Sequence, residues 1–194
     1  MRIIGVVGKN GSGKDEILKY LRTKYAIPFL STGDIVREMA REKGVEPTRE
    51  NLKVISEQCF RDMGKGCFVK LVVERIRCHG YQISGISGIR SSDDVKILKD
   101  MLGHEFILVS VTVSDTHKRY HRMLNRGEER DPQSYDQFMK QDRDEEALFH
   151  IQDAERQADY CINNDGTLSD MHNAIEKLVR DNRLLGGDFH LTAP

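Results

Sequence analysis

An apolar run, Ile3 to Val7, ends on Gly8-Lys9-Asn10-Gly11-Ser12-Gly13-Lys14-Asp15, and no other feature of the 194-residue chain narrows so far what it can fold into. These eight residues match G-x-x-x-x-G-K of the Walker A pattern and depart only at its last position, where Ser or Thr is usual. Between a strand and a helix, such glycines let the backbone close into a nest whose N–H groups point inward, and the helix N-terminus adds its positive dipole. Phosphate oxygens are then held by main chain. Gly8, Lys9, Asn10, Gly11, Ser12, Gly13, Lys14 and Asp15 are therefore the expected seat of a nucleoside triphosphate, with Lys14 bridging its β- and γ-phosphates.

Asp15 has two readings. Its carboxylate is a direct or water-mediated ligand of Mg²⁺, or it is an acid favoured by the dipole at a helix N-terminus, with the metal placed differently.

A loop of this kind implies alternating strands and helices. Strand signals fall at Ile3 to Val7, Pro28 to Leu30, Gln82 to Ile86, Ile107 to Val113 and Tyr160 to Ile162, as continuous apolar runs suited to burial on both faces. Amphipathic periodicity predicts helices over Asp15 to Tyr25, Ile35 to Lys43, Arg49 to Met63, Cys67 to His79, Asp93 to Leu102, Thr116 to Arg126, Ser134 to Ala147 and Ser169 to Asn182. The expected class is α/β: a three-layer sandwich around a five-stranded parallel sheet. Residues 1–183 read as one domain and 184–194 as a loose tail. Met39, Met63 and Met101 read as core or gap-filling residues.

Composition narrows the partners. Thirty Lys plus Arg against thirty-one Asp plus Glu give a formal net charge of -1, so no global basic field attracts nucleic acid or an anionic membrane, and any anion site must be local. The four cysteines show no C-x-x-C pair and no zinc spacing, which suits free thiols in a reducing compartment. The N-terminal apolar run is too short for a signal segment, and Phe106 to Val113 falls far short of a membrane span. A cytoplasmic location is expected, as a monomer or small homo-oligomer.

Past the second strand, Leu30-Ser31-Thr32-Gly33-Asp34-Ile35-Val36-Arg37 offers hydroxyls, a glycine and an arginine one turn into a helix. Ser31 or Thr32 suits an N-cap, Gly33 permits close backbone approach, and Arg37 could grip a phosphate with both arms. A plain helix cap followed by an exposed arginine reads equally well from these residues alone. Together with the Gly8 to Lys14 loop, however, this segment resembles the nucleoside monophosphate kinases, adenylate kinase above all, within the P-loop NTPase architecture. The resemblance implies that Thr32, Gly33 and Arg37 border the acceptor nucleotide. Ser87-Gly88-Ile89-Arg90 resembles the Asp-Gly-Ile-Arg segment of that family, which implies that Arg90 contacts the acceptor phosphate, while Ser87 stands where the family has an acid that helps organise hydrated metal. One carboxylate could thus have moved from the third strand to the phosphate loop. Residues 1 to 180 also resemble small adenylate-kinase-like and dephospho-CoA-kinase-like proteins, and the segment Ala158 to Leu168 is similar to the part of dephospho-CoA kinases that borders the ATP base. That implies Asn164 and Gly166 line this pocket; a strand, turn and capped helix is the plain alternative.

Arg119, Arg122, Arg126, Arg130 and Arg143 punctuate a stretch broken by Gly127 and Pro132. A lid over about 127–143 would deliver arginines to the equatorial oxygens of a transferring phosphoryl group. Arg119 reads as part of a solvated helix face. Arg122 and Arg126 share one face and match the Arg-x-x-x-Arg of the family, which implies one on the ATP base and one on phosphate. Lys14, Arg126, Arg130 and Arg143 are the expected catalytic residues, and about 35–79 the acceptor-binding insertion. The expected activity is Mg²⁺- and ATP-dependent phosphoryl transfer to a nucleoside monophosphate or similar phosphorylated acceptor. A dephospho-CoA kinase-like enzyme and a non-catalytic nucleotide-binding regulator are the alternatives.

Overall fold

The computed structural model of the chain describes residues 1–128 and 131–181. Along them the order is β1 (Arg2–Val7), α1 (Lys14–Tyr25), β2 (Phe29–Ser31), α2 (Thr32–Glu42), α3 (Arg49–Met63), α4 (Cys67–Cys78), β3 (Ile83–Ser87), α5 (Ser92–Leu102), β4 (Phe106–Thr112), α6 (Thr116–Arg126), α7 (Tyr135–Phe149), α8 (Ile151–Glu155), β5 (Tyr160–Asn163) and α9 (Leu168–Asp181). Every strand pairing is parallel, in the order β2-β3-β1-β4-β5.

The central strand shows why these sequences read as unbroken apolar runs. Ile3 and Val7 pack into a core with Val36 of α2, Val72 and Ile76 of α4 and Leu98 of α5. Ile4 and Val6, one step out of phase, pack with Ile17 and Leu21 of α1 and Ile175 and Val179 of α9. Successive side chains point to opposite faces, and both faces are covered by helices. The result is the three-layer α/β sandwich expected from the sequence.

Strand order decides where a ligand can sit. β2, β3 and β1 are neighbours, with Ser31 beside Ser87 and Gly5 beside Ile86 in register, so their carboxyl ends open side by side, where ligands of open α/β sheets gather. Against this rim stands the α6–α7 hairpin. It is held by rings: His117 stacks on Tyr135 at 4.3 Å, and Tyr120 meets Tyr135 and Phe138 edge-on or tilted at 5.4 and 5.7 Å. Among the described residues no helix is long and apolar enough to cross a membrane.

Two sequence expectations need correction. α8 was not foreseen: it has five residues, of which only Ile151 and Ala154 are buried, too few to make a periodic signal. Met63 ends α3 with 47% of its surface exposed and fills no gap, whereas Met39 and Met101 do pack against the core. Arg130 and the expected tail 184–194 lie outside the described residues.

Candidate functional site

The loop from Gly8 to Lys14 turns from β1 into α1. Gly13 caps that helix in the left-handed region, φ 88°, with no side chain bonding the first-turn amides; Glu16 N–H turns back to the Gly13 carbonyl at 2.9 Å, and the N–H groups of Lys14 and Asp15 are left for an anion. A side chain at Gly13 would be strained by its φ and would meet Asn164 Nδ2 at 2.5 Å. The buried Ser12 hydroxyl finds no hydrogen-bond partner among the described residues.

Three elements brace the loop from behind. From the end of β5, Asn164, 6% exposed, donates through Nδ2 to the Ser12 carbonyl at 2.8 Å, and its own carbonyl accepts from Arg122 Nη2 at 2.8 Å. From α6, Arg119 Nη1 donates to the Asn10 carbonyl at 3.1 Å while the guanidinium forks onto Asp142 of α7 at 2.6 and 2.8 Å. Arg119 is 5% exposed, so the reading of a solvated helix face was wrong. From α7, Glu145 accepts from Asn10 Nδ2 at 2.7 Å, and Asp142 and Glu146 lie 3.9 and 3.5 Å from the Lys9 ammonium. Lys9 and Asn10 therefore spend their side chains on α7 and present main chain to a ligand. Sequence reasoning missed Asp142, Glu145 and Glu146: an i, i+3, i+4 acidic set on a helix looks like any exposed charged face.

Lys14 lies in the field of two acids and two arginines. Desolvation holds the Lys14 ammonium below its ordinary value; Asp15 and Glu145 oppose this, and the charges of Arg90 and Arg126 reinforce it. A bound phosphate would supply the countercharge that this cluster calls for. Beside Lys14, Asp15 accepts a hydrogen bond from Ser87 Oγ at 2.6 Å, joining the loop to the end of β3. This hydroxyl and carboxylate fit Mg²⁺, which takes one or two carboxylates and completes its shell with phosphate and water. Among the described residues no cluster of three His, Cys, Asp or Glu side chains stands ready as an all-protein cage.

On the acceptor side, Ser31 is the cap of α2, accepting from the Gly33 amide. Thr32 donates to the Gly88 carbonyl at 3.0 Å, fastening α2 to the loop after β3. Gly88 has φ 87°, and a Cβ there would lie 2.1 Å from Thr32 Oγ1, so this junction requires glycine. Arg37 pairs with Asp34 at 2.5 Å, next to Gly33. Arg90 is exposed, its guanidinium 5.4 Å above the Phe149 ring.

The remaining arginines are dispersed. Arg122 Nη1 is buried without a partner among the described residues, although Nη2 is satisfied. Arg126 grips the buried Asp131 through Nε at 3.0 Å and through Nη2, with Glu128 at 3.3 Å; these partners raise its already high pKa. Arg143 is exposed on α7. Gly166 is exposed in front of Asp170, at the start of α9.

Known proteins agree with this frame. A family model described as an AAA domain matches residues 7–139. A UPF0200 protein of Thermococcus sibiricus is 35% identical over 179 residues, 91% of this chain and 93% of that one. Shikimate kinase from Acinetobacter baumannii in complex with shikimate superposes with a TM-score of 0.59 at 19% identity, covering 95% of this chain and 96% of that one. A gluconokinase from Sinorhizobium meliloti gives 0.56 at 12% identity, over 95% and 97%. The fold is that of the small P-loop kinases, and the chain belongs to the UPF0200 family, carrying its phosphate loop in an AAA domain.

Proposed function

We propose that this protein is an ATP-dependent phosphotransferase of the nucleotide-kinase type, working in the cytoplasm on a nucleoside monophosphate or a similar small anionic acceptor. The observation that carries the reading is a left-handed glycine loop opening α1 whose desolvated Lys14 lies in the field of Arg90, after β3, and of Arg126, at the end of α6. A protein that only binds a triphosphate needs the loop and its lysine; it does not need an arginine at the end of the neighbouring strand.

In this reading the loop amides and Lys14 hold the β- and γ-phosphates, and Arg37 and Arg90 hold the anionic group of the acceptor. An acceptor oxygen attacks the γ-phosphorus in line, the bond to the β–γ bridging oxygen breaks, and ADP leaves with the electron pair. Such a transfer is mainly positioning and charge stabilisation, so no strong protein base is required. Arg126 exchanges Asp131 for phosphate oxygens as the segment about 127–143 closes, with Arg130 and Arg143 as further cations. Gly166, exposed before α9, borders the donor base, with Asn164 and Arg122 fixing the loop beneath it rather than facing the base, and about 35–79 receives the acceptor. Mg²⁺, near Asp15, would screen the phosphates and polarise the transferring group.

ADP release from Mg²⁺-ATP tests this against nucleoside and deoxynucleoside monophosphates, dephospho-CoA and shikimate. Stimulation by one class of acceptor is the expected result. Tight ATP binding with equal, slow ADP release throughout the panel would favour a regulatory nucleotide binder.

A further inference from the structure

P-loop proteins in general hold Mg²⁺ with a hydroxyl on the loop and an aspartate presented from a strand end. Here the two groups occur in the opposite places: the carboxylate is on the loop at Asp15, the hydroxyl at the end of β3 on Ser87, and Ser87 Oγ donates to Asp15 Oδ1 at 2.6 Å. The residues are 72 positions apart and meet because β1 and β3 are adjacent strands in register. A staple between a strand and a helix needs only two neutral hydroxyls. A carboxylate immediately after Lys14 sets negative charge against the incoming phosphates, a repulsion that disappears when a cation stands between them.

We infer that Asp15 and Ser87 form an inverted magnesium seat, in which the loop carboxylate faces the metal of a metal–nucleotide complex and the strand hydroxyl orients that carboxylate. This rests on the phosphate loop binding nucleotide and deepens the reading above without needing phosphoryl transfer. Its consequence is a protein whose nucleotide binding depends steeply on divalent metal. Without metal, Asp15 repels the phosphates; with metal, it becomes part of the attraction. Ser87 then acts as a positioning residue, fixing the carboxylate as outer-shell partners do.

The test is Mn²⁺ binding to the ADP complex, followed by electron paramagnetic resonance, together with ADP titrations in Mg²⁺ and in EDTA. No acceptor is present, so the outcome does not depend on turnover. Loss of an outer-shell partner typically weakens metal about tenfold or more, so Ser87→Ala should lose about that much Mn²⁺ affinity and Asp15→Asn more. Asp15→Asn should also bind ADP more tightly than the parent in EDTA. The exchange variant Asp15→Ser with Ser87→Asp should recover Mn²⁺ affinity to within about tenfold of the parent, that being the span of one outer-shell interaction. Unchanged Mn²⁺ affinity in Asp15→Asn, or no recovery in the exchange variant, would overturn the inference and leave a structural staple. Should the variants fail to fold, Fe²⁺ in place of Mg²⁺ on the parent protein with ADP, ascorbate and peroxide should cut the backbone near residues 15 and 87, and cuts elsewhere only would overturn it. A protein that meets these expectations while no acceptor stimulates ADP release would refute the transferase reading alone.

Discussion

Replacing Arg119 by Ala removes a fork of two hydrogen bonds onto Asp142, a third to the Asn10 carbonyl, and a guanidinium placed 5.2 Å over the Phe138 ring. The arginine is 5% exposed, so solvent does not replace these partners. Breaking a buried ion pair by deleting one member costs about 3–5 kcal/mol, because the other charge is left uncompensated. Asp142 keeps Lys9 at 3.9 Å and some contact with water, which places the cost near the lower end, roughly 3–4 kcal/mol. For a chain of this length each kcal/mol moves Tm by about 2–4 °C, so a fall of about 10 °C is expected. Thermal unfolding followed by circular dichroism measures it. Arg119→Lys should recover only part, since an ammonium cannot reproduce the fork. In the cycle with Asp142→Ala, the double variant should be about 2 kcal/mol more stable than the sum of the singles, as coupled pairs are. A fall of less than about 2 °C, the behaviour of an ordinary surface position, would refute the claim that Arg119 braces the phosphate loop.

Three further outcomes are expected. Asn164→Ala leaves the Ser12 carbonyl without the amide that donates to it at 2.8 Å, and urea unfolding should show a loss of about 1–3 kcal/mol. Lys14, held below its ordinary value chiefly by desolvation, is raised again by bound phosphate; the alkaline limb of kcat/KM should therefore lie at lower pH than that of kcat, and coincident limbs would contradict the assignment. Glu176 is pushed up by burial, but hydrogen bonds from Lys24, Tyr20 and Tyr25 reverse this and leave its carboxyl below the usual range. Its stabilising contribution is thus present above the unfolded-state value and lost as pH falls through the lower folded one. Thermal unfolding from pH 7 downward, with and without Glu176→Gln, should show a flatter acid limb in the variant.

Apart from α8, the helices and strands were legible because β1 and β4 are largely apolar runs and glycines such as Gly13 and Gly127 mark the ends of periodic segments. Strand order was not, since β2 and β3 carry the same kind of pattern wherever they pair. The phosphate loop could be read because its eight residues are contiguous. Its supports could not: Asn164 reaches Ser12 from 152 residues away, and Asp142 reaches Arg119 across 23. Arg119 sits among Thr, His, Lys and Tyr, and nothing local distinguishes it from a wetted helix face; Phe138 and Asp142 on the facing helix bury it. The exchange of acid and hydroxyl between Asp15 and Ser87 was legible as a pair of departures from a pattern, and the 2.6 Å contact adds that the two departures are one feature.

The central claim, phosphoryl transfer to an anionic acceptor, is tested most directly by ³¹P NMR of the protein with Mg²⁺-ATP and the acceptor that most stimulates ADP release. A new acceptor phosphate resonance growing in step with ADP, and slowed by orders of magnitude in Arg90→Ala, is the predicted result. ADP appearing with inorganic phosphate alone, equally in both proteins, would contradict it.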